Sequence, residues 1–113
     1  MGTHHWTAKA VIEAFRGQIN PGDVFMVNDP YLGGTHNPDV RLVRPVFVEG
    51  ELICFLQSCG HWADIGGHIP GGFDIEAKDF YAEGIRIPPL KIWDRGEFRW
   101  DVANVLVTNM RVP

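Results

Sequence analysis

The sequence predicts an α+β fold, with a sheet built mainly from β-hairpins, short flanking helices and glycine-rich loops. Several apolar runs have the length of strands and are separated by turn residues, and two other stretches place apolar residues at helical spacing. The 13 glycines and 8 prolines among 113 residues indicate many turns and extended loops, which argues against a helical bundle. A hydrophobic content of 45%, with four Trp and seven Phe, suffices for one core, so residues 1–113 are expected to form a single domain.

The N-terminal half predicts one helix followed by three strands. Apolar residues recur at the spacing of one helix face from Ala8 to Phe15, and continuous apolar runs then indicate strands. Glu49-Gly50 predicts a hairpin turn between the second and third strands. Pro45 lies inside the second run and is tolerated only at an edge, an end or a bulge. The predicted elements are a helix at 7–15 and strands at 23–27, 40–48 and 52–56.

The C-terminal half predicts two further helices and a second hairpin. A short helix is expected at 75–83, closed by Gly84, and the prolines after it require an extended segment at 87–90. Residues 94–97 have the composition of a hairpin turn. The remaining predictions are strands at 91–93 and 98–100, then a last helix capped by Asp101 that carries Val102, Val105 and Leu106.

Composition narrows the class of protein. A net charge of −4 with interspersed signs provides no basic stripe, which argues against a nucleic-acid partner. No apolar run reaches the roughly 18–20 residues that span a bilayer, and no signal-peptide pattern opens the chain, so a soluble, cytoplasmic protein without membrane contact is expected. Cys54 and Cys59 are five positions apart, which predicts opposite faces of a strand and free thiols. A buried, structural role is favoured for Cys59 over a role as metal ligand.

Two polar segments adjoin the predicted strands and form the candidate site. Residues 28–39 read N-D-P-Y-L-G-G-T-H-N-P-D, and residues 60–68 read G-H-W-A-D-I-G-G-H. Pro38 favours a sharp turn that can aim His36 and Asp39 the same way. His61 completes a set of two histidines and one carboxylate, which suits Zn, Mn or non-haem Fe and leaves coordination positions open. The alternative is an Asx-turn with a nearby surface histidine.

The metal hypothesis depends on the hairpin. The 21 residues between Asp39 and His61 allow a strand out, a tight turn and a strand back, so that His61 returns beside Asp39. One point is then expected about 2.0–2.2 Å from a ligand atom of each of the three side chains. A one-residue slip would turn His61 to the opposite face and favour His68 or Asp64 as third ligand. His4, a weak ligand candidate, His5 and Cys54 are expected outside the site.

Four ordered motifs resemble the hydantoinase B/oxoprolinase family. They are G-D-V-F-x-x-N-D-P-Y-x-G-G-T-H-x-P-D at 22–39, G-H-x-A-D-I-G-G at 60–67, I-P-G at 69–71 and E-G-I-R-I-P-P-x-K at 83–91. Trp62 is a departure, since many relatives have a second histidine there. The resemblance implies an internal segment of a larger B-type subunit that works in a hetero-oligomer with an ATP-binding hydantoinase A-type subunit. In the carboxylase branch of the family, the metal-binding pattern falls on His36, Asp39 and His61.

The resemblance implies ATP-dependent opening of small cyclic amides, such as N-methylhydantoin or 5-oxoproline. ATP would be bound by the partner subunit, and this chain itself carries neither a P-loop nor a G-x-G-x-x-G motif after a strand. A bound metal would act as Lewis acid. Asp64 and Asp29 are candidates to orient the ligand histidines or to act as general base, and His68 is a candidate replacement ligand or proton shuttle. The alternatives are a ketone carboxylase subunit of the acetone or acetophenone type, and a structural or assembly module whose histidines cap loops.

Overall fold

A computed structural model describes residues 3–72 and 74–112 and shows a five-stranded antiparallel sheet with two helices. The strand order is β3-β2-β1-β4-β5. This is the predicted α+β class. The helices are α1 at His4–Ala14 and α2 at Trp100–Thr108, and the strands are β1 at Val24–Val27, β2 at Asp39–Val48, β3 at Glu51–His61, β4 at Leu90–Asp94 and β5 at Glu97–Phe98.

Each face of the sheet packs against one helix. Phe25 and Val27 alternate with Met26 along β1, so they point to opposite faces. Val11 of α1 packs on the first face, and Leu106 of α2 packs on the second. The first cluster comprises Val11, Phe25, Val27 and Val43, and the second Met26, Val40, Ile65, Ile87, Ile92 and Leu106. None of the helices in the described ranges is long and apolar enough to cross a membrane.

Several boundaries differ from the sequence prediction. The segment predicted as a helix at 75–83 is not one: it contains only a 3-10 turn at Phe80–Glu83. The reason is local competition, because the side chains of Asp74 and Asp79 accept hydrogen bonds from backbone N–H groups two residues ahead, and such bonds favour turns over helices. The predicted strand at 98–100 ends at Phe98.

Helix α2 begins two residues earlier than predicted. Arg99 is the N-cap, and Asp101 lies within the first turn, where it pairs with the Arg99 side chain instead of capping.

Strand β3 extends to His61 because it pairs with β2 along its whole length. Both cysteines on it are free, as predicted, but Cys59 is exposed, so the expectation of a buried Cys59 is wrong. A register shift lies one residue beyond Pro45, between Val46 and Phe47.

Asp23 fastens β1 to the β4–β5 turn. Its buried carboxylate accepts hydrogen bonds from the backbone N–H groups of Asn20 and Arg95, both at 2.8 Å, and pairs with the Lys91 ammonium at 3.0 Å. Burial raises the pKa of Asp23, but the two backbone bonds and Lys91 lower it more, so the pKa lies below its ordinary value.

Asp23→Asn is therefore expected to destabilise the fold by about 2 kcal/mol at pH 7, since hydrogen bonds to a charged group contribute about 1.5–3 kcal/mol. Because the folded-state pKa is depressed, the stabilisation is complete above the unfolded pKa of about 3.9 and is lost as the pH falls through the folded value. Urea denaturation should show a difference between wild type and variant at pH 7 that shrinks by pH 3. The half-exposed Asp94 also contacts Lys91, and Asp94→Asn is the control, with an expected loss of under about 1 kcal/mol.

Candidate metal centre

The β2–β3 hairpin brings Asp39 and His61 side by side. Glu49 and Gly50 form its turn, both with positive φ, at 51° and 87°, as a two-residue hairpin turn of the type I′ class requires. The register pairs Asp39 with His61, and directly paired residues project on the same face of the sheet. The predicted hairpin register is therefore confirmed.

His36 reaches the same place from the loop that precedes β2. The Asp39 N–H donates to the His36 carbonyl at 3.0 Å, and the Trp62 N–H donates to the Pro38 carbonyl at 2.8 Å, so this loop is fastened to the end of β3. His36 Nε2 lies 3.1 Å from Asp39 Oδ1. The ring centres of His36 and His61 are 5.2 Å apart.

His36, Asp39 and His61 form a group whose possible ligand atoms all lie within 4.8 Å of one another. Bonds of about 2.0–2.2 Å at tetrahedral angles place ligand atoms roughly 3.4 Å apart. Small side-chain rotations would therefore close the group around one ion. His61 is exposed and the other two are partly buried, so the group is open to a ligand from one side.

The carboxylate of Asp39 is held in its ionised form. Burial raises the pKa of Asp39. Hydrogen bonds from the Thr35 hydroxyl and His36, together with the charge of His36 and His61, lower it by more, so the pKa lies below its ordinary value. Thr35 bonds to Oδ2 while His36 contacts Oδ1, so the orientation of the carboxylate is fixed. Two imidazoles and an ionised carboxylate are a donor set that suits Zn²⁺, Mn²⁺ or Fe²⁺.

Close backbone approach holds the loop that carries His36. A Cβ on Gly33 would lie 2.6 Å from the Trp6 carbonyl carbon, and Gly33 has a φ of 93°. A Cβ on Gly34 would lie 2.8 Å from the Asn28 carbonyl carbon. Both glycines are therefore required for the loop to lie against α1 and the end of β1.

Two buried polar side chains fasten this loop further. The Arg41 guanidinium donates to the hydroxyls of Thr7 and Thr3 and to the Gly33 carbonyl, which ties α1 to the glycine turn. Asn28 donates to the Asn37 carbonyl at 2.7 Å, between His36 and Asp39 in the chain. No role was predicted for Arg41. The available signal was a charged residue among the apolar residues Val40, Leu42 and Val43 of β2.

Gly33→Ala is expected to destabilise the protein by about 1–3 kcal/mol more than Gly50→Ala, because overpacking against backbone adds to the strain of a positive φ. Gly50 is a matched control, with a φ of 87° and no atom within 4 Å of an added Cβ. The free energies of unfolding of the two variants measure the difference. Equal losses would show that the contact with α1 contributes nothing.

The other predicted site residues have partners of their own. Asp29 accepts from the Tyr31 N–H at 2.9 Å and lies 3.4 Å from Arg86. Asp64 accepts from the backbone N–H groups of Gly66, Arg111 and Val112.

The pKa of Asp64 lies below its ordinary value. The backbone hydrogen bond from Val112 lowers it most, the bonds from Gly66 and Arg111 and the charge of Arg111 lower it further, and burial opposes them. Asp64 thus anchors the C-terminal segment to the second polar segment. His68 lies beside Asp74, and His4 and His5 lie in the first turn of α1. Catalytic roles for Asp29, Asp64 and His68 stay predictions.

The family model for hydantoinase B/oxoprolinase matches residues 1–113. The chain belongs to this family. The beta subunit of caprolactamase from Pseudomonas jessenii is 48% identical over 103 residues, which are 91% of this chain and 18% of that subunit. The acetophenone carboxylase delta subunit of Aromatoleum aromaticum is 33% identical over 93% of this chain and 16% of its own length. The predicted resemblance is therefore confirmed.

Solved structures of two family relatives share the fold. The ATP-dependent caprolactamase of Pseudomonas jessenii superimposes with a TM-score of 0.93 at 45% identity, over 99% of this chain and 19% of that one. Acetone carboxylase in a nucleotide-free structure gives a TM-score of 0.82 at 26% identity, over 96% of this chain and 15% of that one. The chain thus spans less than a fifth of the length of each relative named above, and these relatives are a caprolactamase and two carboxylases.

Proposed function

We propose that this chain supplies the metal site of an ATP-dependent cyclic amide hydrolase. The observation that carries the proposal is the grouping of His36, Asp39 and His61 at the base of the hairpin. The similarity to a caprolactamase subunit at 48% identity supports amide hydrolysis as the reaction. The protein would act in the cytoplasm, in a hetero-oligomer with an ATP-binding subunit of the hydantoinase A type.

A divalent transition metal at this site would supply a Lewis acid that polarises an oxygen of the substrate and lowers the pKa of a bound water. His36 and His61 would bind it as neutral imidazoles, so metal occupancy would fall as the pH is lowered. Asp39 contributes one negative charge and is kept in orientation by Thr35. Asp29 and Asp64 have their carboxylates engaged by backbone N–H groups, which favours orienting roles for them over proton abstraction.

Because an amide bond is stable, its carbonyl carbon must be activated before water can add to it. The partner would transfer the γ-phosphoryl group of ATP to the amide oxygen, which makes the carbon electrophilic. Water then adds to this carbon, and the ring nitrogen leaves as an amine after it takes up a proton. The resulting acyl phosphate reacts with a second water to give a carboxylate and phosphate. The chain described here would hold the substrate carbon and the attacking water in place.

A ketone carboxylase subunit is the second candidate, favoured by the similarity to acetophenone carboxylase and by the shared fold of acetone carboxylase. The two chemistries differ in their second substrate. A structural or assembly module is the third candidate and requires no metal.

One set of assays separates the three. The full-length protein, purified without chelator together with its ATP-binding partner, is tested for ATP-dependent opening of caprolactam, 5-oxoproline and hydantoins, and for incorporation of labelled bicarbonate into acetone and acetophenone. Ring opening without incorporation supports the hydrolase, and incorporation assigns the carboxylase. If the protein contains less than about a tenth of an equivalent of any transition metal and shows neither activity, the structural or assembly module is the remaining candidate.

A further inference from the structure

A second histidine–carboxylate pair lies outside the metal centre. His68 Nδ1 is 3.1 Å from Asp74 Oδ2. The Asp74 side chain is only 8% exposed, whereas the His68 side chain is 74% exposed. A largely covered carboxylate thus holds one edge of an imidazole whose remainder faces solvent.

Asp74 can only accept in this contact. Its other oxygen accepts from the Glu76 N–H at 2.9 Å. That backbone bond and the contact with His68 hold the pKa of Asp74 below its ordinary value, against a smaller opposing effect of burial. An ionised carboxylate has no proton to donate, so Nδ1 of His68 carries the hydrogen. In the neutral imidazole, Nε2 is then the nitrogen with a free lone pair.

The backbone of His68 is fixed on both sides. Its N–H donates to the Ala82 carbonyl at 2.8 Å, and its carbonyl accepts from the Arg111 guanidinium at 3.3 Å. A Cβ on Gly67 would lie 2.7 Å from the same Ala82 carbonyl oxygen, so the chain packs closely there. Among the described residues, Asp74 contacts the His68 ring and the charged Arg111 contacts its backbone carbonyl. An exposed imidazole on a held backbone, with its tautomer set by a carboxylate, is suited to general acid–base catalysis.

We propose that Asp74 is a positioning residue that keeps His68 in the Nδ1–H tautomer, so that Nε2 can take a proton from the attacking water and return it to the departing ring nitrogen. The inference rests on the proposed hydrolase function, in which one proton must leave the water and one must reach the amine. The pair is separate from the metal group, which comprises His36, Asp39 and His61. His68 lies seven residues beyond His61, in the segment that Asp64 anchors.

The first test is a mutant cycle on the full-length protein with its ATP-binding partner and caprolactam as substrate. His68→Ala should lower kcat about 100-fold or more, since general acid–base catalysis contributes about 10²–10⁴-fold. Asp74→Ala should lower kcat about 10- to 100-fold, as loss of an orienting carboxylate does, with KM within about twofold of wild type. In the His68→Ala background, Asp74→Ala should have no further effect, because its role acts through the imidazole.

Asp79→Ala is the matched control. Asp79 accepts from the Tyr81 and Ala82 N–H groups in the same kind of turn, so its loss measures the cost of a missing turn cap alone. Asp74→Asn keeps an oxygen that can accept from Nδ1 and should retain more activity than Asp74→Ala. Metal content should stay at the wild-type value in all these variants. Additive losses of His68→Ala and Asp74→Ala, or equal losses of kcat for the alanine variants of Asp74 and Asp79, would overturn the proposal.

A second readout does not depend on activity. Diethylpyrocarbonate reacts with an unprotonated ring nitrogen, and peptide mass spectrometry resolves each histidine. In Asp74→Ala the rate at His68 relative to His5 should fall about threefold at pH 8, because the carboxylate makes the opposite nitrogen a stronger nucleophile. An unchanged ratio would overturn the assigned contact. Failure of the wild-type complex to open any cyclic amide would instead overturn the proposed hydrolase function, whatever this ratio shows.

Discussion

Replacement of His61 by alanine is expected to remove the bound metal from the full-length protein and to lower kcat for ring opening by more than about 100-fold. Loss of an outer-shell partner already costs roughly 10- to 100-fold, and loss of one of three protein ligands should cost more. His36 and Asp39 would remain 3.1 Å apart, but two ligands do not hold a divalent ion against dilution. Elemental analysis of the purified protein and steady-state kinetics of the complex measure the two effects.

The fold should survive this change. His61 is exposed at the end of β3, so no core contact is lost, and the unfolding temperature should stay close to that of the metal-free wild type. His5→Ala is the control, because His5 is an exposed histidine in α1, outside the group of three. A His61→Ala protein with a full equivalent of metal and wild-type activity would exclude the site.

The neighbouring positions of Asp39 and His61 could be predicted because local signals determine them. A two-residue turn at Glu49-Gly50 sets the register, and the two-residue period of strands then decides which side chains share a face. The apolar runs at 23–27 and 40–48 likewise predicted β1 and β2, which are two of the inner strands of the sheet. Short-range chemistry thus suffices to bring the two ends of the hairpin together.

The parts that could not be predicted depend on side-chain hydrogen bonds and on strand pairing, which the type and spacing of residues do not indicate. The segment at 75–83 contains helix-forming residues, but Asp74 and Asp79 turn the backbone with their side chains. The length of β3 depends on pairing with β2 and not on its own apolar content. The pair between Asp74 and His68 bridges a glycine-rich stretch, and sequence spacing alone does not indicate such contacts.

Asn28 is the clearest example of a long-range role that the sequence conceals. Its side chain is fully buried and spans three backbone groups. Oδ1 accepts from the Ile87 N–H at 2.6 Å, and Nδ2 donates to the carbonyls of Asn37 and Ile85 at 2.7 and 2.9 Å. One amide thereby joins the loop that carries His36 to the segment that leads into β4.

Asn28→Ala is therefore expected to lower the free energy of unfolding by about 3–5 kcal/mol, because each buried backbone group left without a partner costs about 1–3 kcal/mol. Asn20→Ala is the matched control: its amide makes one exposed hydrogen bond, to the Gln18 carbonyl, and the expected loss is under about 1 kcal/mol. Asn28→Asp separates the two sides of the amide, since a carboxylate can still accept from Ile87 but places a negative charge against two carbonyl oxygens. Urea denaturation measures the free energy of unfolding of all three variants, and elemental analysis measures their metal content.

If the Asn37 carbonyl bond positions the loop that carries His36, Asn28→Ala should lose metal at temperatures where it is still folded. Retention of a full equivalent of metal by the folded variant would show that the loop is held by the glycine contacts and Arg41 without Asn28.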